Sequence, residues 1–324
     1  MPFTRTETLD TLYTTTWWAR RSEISDAVFT TTPFYYLMSR KGRMQSQAGG
    51  TRLEIPIEYD TNPTVKWVGK GGTVELTDTD PLTVASEVWR YLAINVTRYG
   101  VDEQQNQGKY QIKRMVTVKL DNAKKTLIDK LETSLFTAQT GAAMNGLPTI
   151  IADDPTASAS IHGINQSSYS WWRNQYQDMT AYPMDTYLRD YMENMYNTIG
   201  AKGQSVSNTP DMLVTTQTVY ETYVEECFEL LNIQITDKKL ADLGFGDMSF
   251  KQKPLTWSPA CPSGKMYFIN FATLFLLYDP TRWFMMTDWK DIPDQIEDRV
   301  AQILCALQLI CSSRRHQGVL FNLA

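Results

Sequence analysis

The feature that most constrains this chain is the stretch from Gln104 to Ala138, which contains no proline and only one glycine, Gly108, near its start. Apolar residues recur there at three- and four-residue spacing: Ile112, Val116, Leu120, Ala123, Leu127, Leu131 and Leu135. This pattern predicts one amphipathic helix, with charged residues on its opposite face. Thirty residues in a helix would span roughly 45 Å. The usual helix has only about 11–12 residues, so this one is unusually long. The pair Thr140-Gly141 is a typical stop signal.

A long β-hairpin is predicted before this helix. Residues 51–59 alternate, with Leu53, Ile55, Ile57 and Tyr59 on one face. A second strand-like run covers 82–99, with Trp89 and Tyr91 on one face and Val88, Leu92, Ile94 and Val96 on the other. The glycine-rich segment between them predicts a hairpin tip. An isolated hairpin is marginal in water, so we expect this one to lie on another surface.

The remaining segments predict a mixed fold. Residues 1–45 form a Thr-rich, partly basic arm with no core of its own, with a helix predicted at 22–28 and an interruption at Pro33. After the long helix, the patterns predict the following elements: a short strand between turns in 145–154, helices at 184–199 (ended by Gly200) and 216–231, and strands at 211–214, 265–269 and 273–278. The run 299–311 fits both helix and strand periodicity. This order predicts the α+β class.

Composition narrows the functional classes. The apolar fraction of 42% and the charged fraction of 21% are typical of a folded domain. A net charge of -5 disfavours a dedicated nucleic-acid binder, whose surface would usually be basic. No stretch approaches the roughly 18 apolar residues of a membrane span, so no membrane association is predicted. The four cysteines form no Cys-x-x-Cys pair, which favours free, buried thiols.

Candidate catalytic residues are scarce. The chain has two histidines, His162 and His316, and neither is accompanied by a Gly-x-Ser-x-Gly nucleophile elbow. No His-x-x-x-His or Cys-x-x-Cys pair indicates a metal, and the segment 70–73 lacks the spacing of a phosphate-binding loop. The sequence therefore predicts no enzyme, no cofactor and no metal site. A hydrolase using His162 or His316 is the alternative from a different class.

The order of arm, hairpin, long helix and mixed region resembles the major capsid protein of tailed bacteriophages, which has the Hong Kong-type capsid fold (Johnson fold). Several segments carry the same resemblance: NGLPTIIADD at 145–154, SWWRN at 170–174, YDPTRWFMMTDWK at 278–290 and the run from Asp298. The resemblance implies an N-terminal arm (1–50), an extended E-loop hairpin (51–100), a peripheral domain with a spine helix (101–183), an axial domain (184–292) and a return to the peripheral domain (293–324). It also implies that 299–311 is a strand.

This family resemblance implies a structural role in a virion. The chain would self-assemble into hexamers and pentamers of an icosahedral head shell in the host cytoplasm, with portal, scaffold and decoration proteins as further partners. Packaged double-stranded DNA would face the inner surface without sequence-specific binding. The intersubunit contacts expected from the E-loop are Leu53, Ile55, Ile57, Trp67, Trp89 and Tyr91, and those expected from the arm are Trp17, Trp18 and Phe34.

Two other structural roles stay open at this level. An encapsulin-like compartment would use the same fold and enclose a protein cargo instead of a genome. An adhesive tail or decoration protein would form small oligomers and no closed shell.

Overall fold

The computed structural model describes residues 10–17, 32–60, 64–74, 76, 80–100, 109–202, 208–230, 248–293, 295 and 298–324. Its helices are residues 10–17, Pro33–Arg40, Lys109–Phe136, Leu147–Ile150, Met184–Lys202 and Gln217–Leu230. Single 3-10 turns lie at Ser170–Trp172, Pro280–Arg282 and Arg314–His316. Together with four sheets, these elements confirm the predicted α+β class.

The long helix, Lys109–Phe136, has 28 described residues and therefore a length of about 42 Å at about 1.5 Å per residue. Its predicted apolar stripe is buried in the main core of the chain: Val116, Leu120, Ala123, Leu127, Leu131 and Leu135. The predicted start at 104–108 and the side chain of Ile112 lie outside the described residues. The chain turns back closely after the helix, because a Cβ at Gly146 would lie 2.1 Å from the carbonyl oxygen of Thr137. Only glycine fits this position.

The first sheet is organised around its longest strand. It contains β1 (Met44–Ser46), β4 (Arg90–Arg98), β12 (Leu274–Tyr278), β13 (Met285–Met286), β14 (Lys290–Asp291) and β15 (Arg299–Cys311). One edge of β15 pairs antiparallel with β4, and its other edge pairs with β12, β13 and β14 in turn. The run that fits both periodicities is therefore a strand, because it is paired along both edges.

The second sheet separates two hydrophobic cores. Its order is β7 (Gln175–Asp178), β16 (Gly318–Phe321), β11 (Met266–Ile269), β8 (Met212–Thr215), β10 (Lys253–Trp257) and β9 (Ser249–Phe250). Every residue of β8 and β11 is buried. Alternate side chains enter the core of the long helix (Met212, Val214, Tyr267, Ile269) and the core of the helices Met184–Lys202 and Gln217–Leu230 (Leu213, Met266, Phe268). Burial on both faces explains the continuous apolar runs in these strands.

The predicted hairpin is shorter than expected. Strand β2 (Leu53–Glu58) pairs antiparallel with β3 (Leu82–Glu87), and the ladder stops there. The run 82–99 is thus two strands and not one, because β4 leaves β3 after Trp89 to pair with β15. In that position Leu92, Ile94 and Val96 pack against the main core. Burial of this apolar face favours the sheet over a longer isolated hairpin.

Two further local predictions were wrong. The segment 145–154 contains a one-turn helix, Leu147–Ile150, where a strand was expected, and Pro148 occupies its first turn, a position that proline favours. Gly200 does not end the preceding helix, which continues to Lys202. The helix predicted at 22–28 lies outside the described residues. A small hairpin that the sequence patterns did not predict, β5 (Ser160–Ile161) with β6 (Ile164–Asn165), lies before the 3-10 turn Ser170–Trp172.

Candidate assembly surfaces

The E-loop base, formed by β2 and β3, lies with one face on the body of the chain. Leu53 packs against Leu277 of β12 and Ile310 of β15, with Ile55 and Trp89 at the edge of this cluster. Further along the same face, Ile57 and Ala85 form a second cluster with Ile164, Trp172 and Trp171. The prediction that the hairpin lies on another surface therefore holds for its base, and that surface belongs to the same chain.

The outward face of the E-loop base carries exposed apolar residues beside polar ones such as Glu54 and Ser86. Register places Pro56 of β2 opposite Val84 of β3 and Glu58 opposite Leu82. Leu82 is 60% exposed and Val84 is 52% exposed. Two-stranded ribbons usually carry polar residues on a solvent face, so this face has the composition of a contact surface.

The E-loop tip, residues 64–74, 76 and 80–81, exposes its large apolar side chains almost completely. Trp67 is 104% exposed, Leu76 100% and Val65 84%. Val68 and Val74 are also exposed. Tryptophan is enriched in interface cores and is rarely left fully in solvent, because its indole buries a large apolar area. The tip thus presents an apolar surface that the described part of its own chain leaves exposed.

The arm, in contrast, packs into the body of the chain. In the helix at residues 10–17, Asp10 forms ion pairs with Arg98 of β4 and Arg299 of β15. Tyr13 meets the edge of Trp289 at 5.2 Å between ring centroids. The indole Nε1 of Trp17 donates a hydrogen bond to the Phe284 carbonyl at 2.9 Å.

The second described part of the arm is the helix Pro33–Arg40. Phe34 is buried against Phe271, with ring centroids 5.4 Å apart. The Tyr35 hydroxyl donates to the carbonyl oxygen of Leu131 in the long helix at 3.3 Å, and burial raises the pKa of this hydroxyl. The arm, predicted to have no core of its own, therefore joins the main core of its own chain through its described residues. Its aromatic side chains cover the first sheet and the long helix, whose apolar faces need that cover.

Of the two histidines, His162 is buried and hydrogen-bonded through both ring nitrogens. His162 is 1% exposed, and both of its ring nitrogens are within hydrogen-bond distance of partners, Glu87 at 3.0 Å and the Cys311 amide at 3.1 Å. A general base needs a nitrogen that can reach a substrate, so the geometry disfavours the hydrolase alternative for this residue. His316 lies in the 3-10 turn Arg314–His316.

The described part of the chain also bears on metal binding, membrane association and thiol chemistry. There, no group of three or more His, Cys, Asp or Glu side chains is arranged to hold a metal ion. Among the same residues, no helix combines the length and the apolar character needed to cross a membrane. The four cysteines are free and buried, as predicted. Burial raises the pKa of Cys261 to about 12 and that of Cys311 to about 11, so both thiols stay protonated near neutral pH.

Several solved structures share this architecture. No protein-family model matches the sequence, and no curated protein matches it either. The capsid asymmetric unit of cyanophage A-1(L) is 17% identical, with a TM-score of 0.66 over 87% of this chain and 90% of the other. The capsid of a native GTA particle is 8% identical, with a TM-score of 0.56 over 89% and 90%.

The chain has the Hong Kong-type capsid fold. The fold is shared with a third structure, the holo-SrpI encapsulin complex from Synechococcus elongatus PCC 7942, which is 10% identical. Its TM-score is 0.52 over 90% of this chain and 88% of the other. The fold predicted from the sequence is thereby confirmed. Because phage capsids and an encapsulin share this fold, the fold alone does not distinguish between their functions.

Within the Hong Kong-type fold, the predicted contact residues divide by exposure. Trp67 and Tyr91 are exposed, at 104% and 57%. Ile55 and Trp89 are partly buried in the cluster under the E-loop base. The remaining described residues of the prediction are buried within the chain: Trp17, Phe34, Leu53 and Ile57. Trp18 lies outside the described residues.

The sequence interpretation overlooked some exposed residues of this fold. Val65 and Leu76 in the tip, and Leu82 and Val84 on the outward face of β3, were not singled out. The sequence of β3 did contain a signal. Its apolar residues occupy both odd and even positions, and since successive side chains of a strand point to opposite faces, one set must lie on the outer face. No comparable signal exists for the tip, where no periodicity indicates which side chains are covered.

Proposed function

We propose that this chain is the major capsid protein of a tailed bacteriophage and that copies of it form the hexamers and pentamers of an icosahedral head shell. The observation that carries the proposal is the apolar surface of the E-loop on a capsid fold. Likeness to the cyanophage capsid over 87% of the chain supports the fold-level part. The exposed tip side chains support the assembly part, because an uncovered apolar patch of this kind marks a contact site.

The proposed intersubunit contact uses the tip and the outward face of the E-loop base. Trp67 and Leu76 supply apolar side chains that are fully exposed in the isolated chain. Burying one such side chain contributes about 1.5–3 kcal/mol. Closed symmetry repeats each contact for every copy, so modest contacts suffice for a stable shell. In this proposal Tyr91 and Trp89 lie at the rim, and the buried residues Leu53, Ile57, Trp17 and Phe34 support the contact from within their own chain.

The proposal also includes partners outside the shell lattice. Portal, scaffold and decoration proteins would complete the head, and packaged double-stranded DNA would face its inner surface without sequence-specific contacts. The net charge of -5 is consistent with a wall that encloses DNA and does not bind it tightly. The location would be the virion, after assembly in the host cytoplasm.

Negative-stain electron microscopy of the purified full-length chain tests the proposal. We expect hollow particles, or rings of five and six subunits. The variant Trp67→Ser should lower the yield of particles by at least about tenfold, since loss of a central interface tryptophan typically costs 2 kcal/mol or more per contact. The matched control is Lys70→Ser, which changes an exposed polar residue of the same tip and should assemble normally. A chain that stays monomeric under all conditions, including added crowding agent, would contradict the proposal.

The second candidate is an encapsulin-like compartment, favoured by the likeness to the encapsulin complex at a TM-score of 0.52. The particle contents distinguish the two functions. Particles isolated from the native source should contain double-stranded DNA if the chain is a phage capsid protein, and a folded protein cargo if it is a compartment. Neighbouring portal and terminase genes would support the phage function, and a neighbouring cargo gene would support the compartment.

A further inference from the structure

A buried histidine joins three segments at the foot of the E-loop. His162 and Gly163 form the two-residue turn between β5 and β6, with φ values of 53° and 80°. Positive φ at both positions is the pattern of a type I′ turn, which histidine tolerates better than most residues. The turn presses against the E-loop, because a Cβ at Gly163 would lie 3.3 Å from the Ser86 hydroxyl oxygen.

Three hydrogen bonds connect His162 to its neighbours. Its carbonyl oxygen accepts from the Ser86 amide of β3 at 3.0 Å. Its Nδ1 lies 3.0 Å from the Glu87 carboxylate oxygen at the end of β3. Its Nε2 lies 3.1 Å from the amide nitrogen of Cys311, the last residue of β15.

The Cys311 contact defines the protonation state of the ring. A backbone amide only donates, so Nε2 must accept and cannot carry a proton. The ring proton is therefore on Nδ1, where it is donated to Glu87. His162 is neutral in this geometry, and a proton added at Nε2 would place two donors against each other.

We propose that His162 is a proton-sensitive joint, which fastens the E-loop base to β15 when neutral and releases the Cys311 amide when protonated. The imidazolium would retain its bond to Glu87 and so would follow β3 away from β15. Nothing in this step depends on assembly, so the joint is independent of the proposed capsid function.

The charges around His162 favour the neutral form at neutral pH. Burial lowers the pKa of His162, and the positive charge of Arg314 lowers it further, while Glu87 acts in the opposite direction. Burial alone would raise the pKa of Glu87, but hydrogen bonds from His162 and Asn145 outweigh it and lower that pKa, so Glu87 is anionic. The Cys311 thiol, whose pKa is raised to about 11, is uncharged.

The direction of the pH effect follows from this lowered pKa. Above the ordinary histidine value of about 6.5, the ring is neutral in both the folded and the unfolded chain, and the stabilisation by the joint is complete. Below that value the unfolded chain binds a proton first, so stability falls with falling pH. Once the pH reaches the pKa of the folded state, His162 is protonated within the native structure and the joint opens.

Opening at this point would move the E-loop tip more than its base. The paired part of β3 has six residues from Glu87 to Leu82, a length of about 20 Å at about 3.3 Å per residue. The tip lies beyond that end. A rotation at the base is therefore amplified along the ribbon. None of the three hydrogen bonds of His162 involves a residue of the second sheet, so that sheet should not move with the E-loop.

Hydrogen exchange measured by mass spectrometry on the full-length chain tests the joint. Exchange at the imidazole C2 position gives the pKa of each histidine, and the chain has only two. We expect a pKa below about 6.5 for His162. Across the same pH range, the protection factors of amides in β3 and at Cys311 should fall by about tenfold or more, while those of β11 stay unchanged.

The variant Glu87→Gln provides the sharper test. Its amide oxygen still accepts the Nδ1 proton, but the charge that raises the pKa of His162 is lost. Both the His162 titration and the loss of β3 protection should move together to lower pH. His316→Gln is the control and should leave both transitions in place.

Three results would overturn the proposal. His162 could titrate at or above about 6.5, as an exposed histidine does. The β3 amides could keep their protection through the His162 titration. All sheets could lose protection at one pH, which would make His162 a contributor to global stability only. Each result leaves the capsid proposal untouched, since that proposal is tested by particle formation.

Discussion

The second sheet and the E-loop tip both carry large apolar side chains, but these side chains have opposite surroundings. In β11, each of Met266, Tyr267, Phe268 and Ile269 is 0% exposed. In the tip, Trp67 and Leu76 are fully exposed. Large apolar side chains therefore stabilise the fold of the chain in β11, whereas those of the tip contribute little to it.

This contrast separates two uses of hydrophobic residues in one chain. Side chains in β11 are covered on both faces by helices and sheets that the chain supplies itself. No described residue covers the tip in this way, so the favourable free energy of burying it becomes available when another molecule supplies the surface. Substitutions should therefore affect stability in the first region and association in the second.

The largest expected effect is that of Phe268→Ala in β11. Phe268 is buried among the residues of the smaller core, so its removal leaves a cavity that the two flanking helices cannot fill. We expect the free energy of unfolding to fall by about 3–5 kcal/mol. Chemical denaturation followed by tryptophan fluorescence measures this loss. Trp257→Ala, at a 41% exposed position of the same sheet, is the control and should cost clearly less.

The next largest effect concerns Arg314, which is 0% exposed and whose hydrogen-bond partners among the described residues include no carboxylate. Its guanidinium donates to the carbonyl oxygens of Ile150 and Trp172 and to the side-chain oxygens of Gln166 and Asn174. Burial lowers its pKa to about 10, so it remains charged at neutral pH. Arg314→Met keeps the apolar stem and removes the donor from each of these acceptors, of which Asn174 Oδ1 still accepts from the Ala152 amide.

We therefore expect Arg314→Met to destabilise the chain by about 2–4 kcal/mol, the range for charged hydrogen bonds and buried acceptors left without donors. Arg315→Met is the matched control, because among the described residues the Arg315 guanidinium has one hydrogen bond, a long one to the Ser313 hydroxyl at 3.4 Å. Thermal or chemical unfolding of the two variants measures the difference. Equal destabilisation by both variants would show that Arg314 has no special role in joining its four partners.

A smaller effect is expected where the arm meets the body of the chain. Trp17→Phe preserves most of the buried aromatic surface and removes the hydrogen bond to the Phe284 carbonyl. The expected loss is about 1–2 kcal/mol, since the Phe284 carbonyl is left without this donor in a buried environment. Limited proteolysis of the N-terminal segment should accelerate accordingly. Unchanged stability and cleavage would mean that the arm is held by its other contacts alone.

Local patterns predicted the elements whose contacts are regular along the sequence. The long helix was predictable because one apolar stripe, from Val116 to Leu135, faces one core. The base of the hairpin was predictable because Leu53, Ile55 and Ile57 alternate over a single surface. The free cysteines followed from their spacing and apolar surroundings. In each case the relevant neighbours repeat with a fixed period.

The features that escaped prediction depend on partners distant in sequence. Strand β4 leaves the hairpin because β15, some 200 residues later, offers a longer ladder. Trp17 is buried because the Phe284 region forms a surface for it. His162 has neighbours at Glu87 and Cys311 that no local pattern connects. The strand conformation of β15 was predicted only through the family resemblance, because its apolar run fits both helix and strand periodicity.

The smallest expected effect on stability is that of Trp67→Ala in the tip. Because Trp67 is 104% exposed, its removal deletes no contact within the chain, and the free energy of unfolding should change by no more than about 0.5 kcal/mol. Trp172→Ala is the matched control, since the same residue type is there 0% exposed and donates to the Ile161 carbonyl. That change should cost about 3–5 kcal/mol.

The two tryptophans together test whether the tip is reserved for association. If Trp67→Ala leaves unfolding of the unassembled chain unchanged but prevents particle formation, the tip acts only between molecules. A loss of stability comparable to that of Trp172→Ala would instead place Trp67 against its own chain in solution. The contrast between the second sheet and the tip would then disappear, because both regions would use their apolar residues for folding.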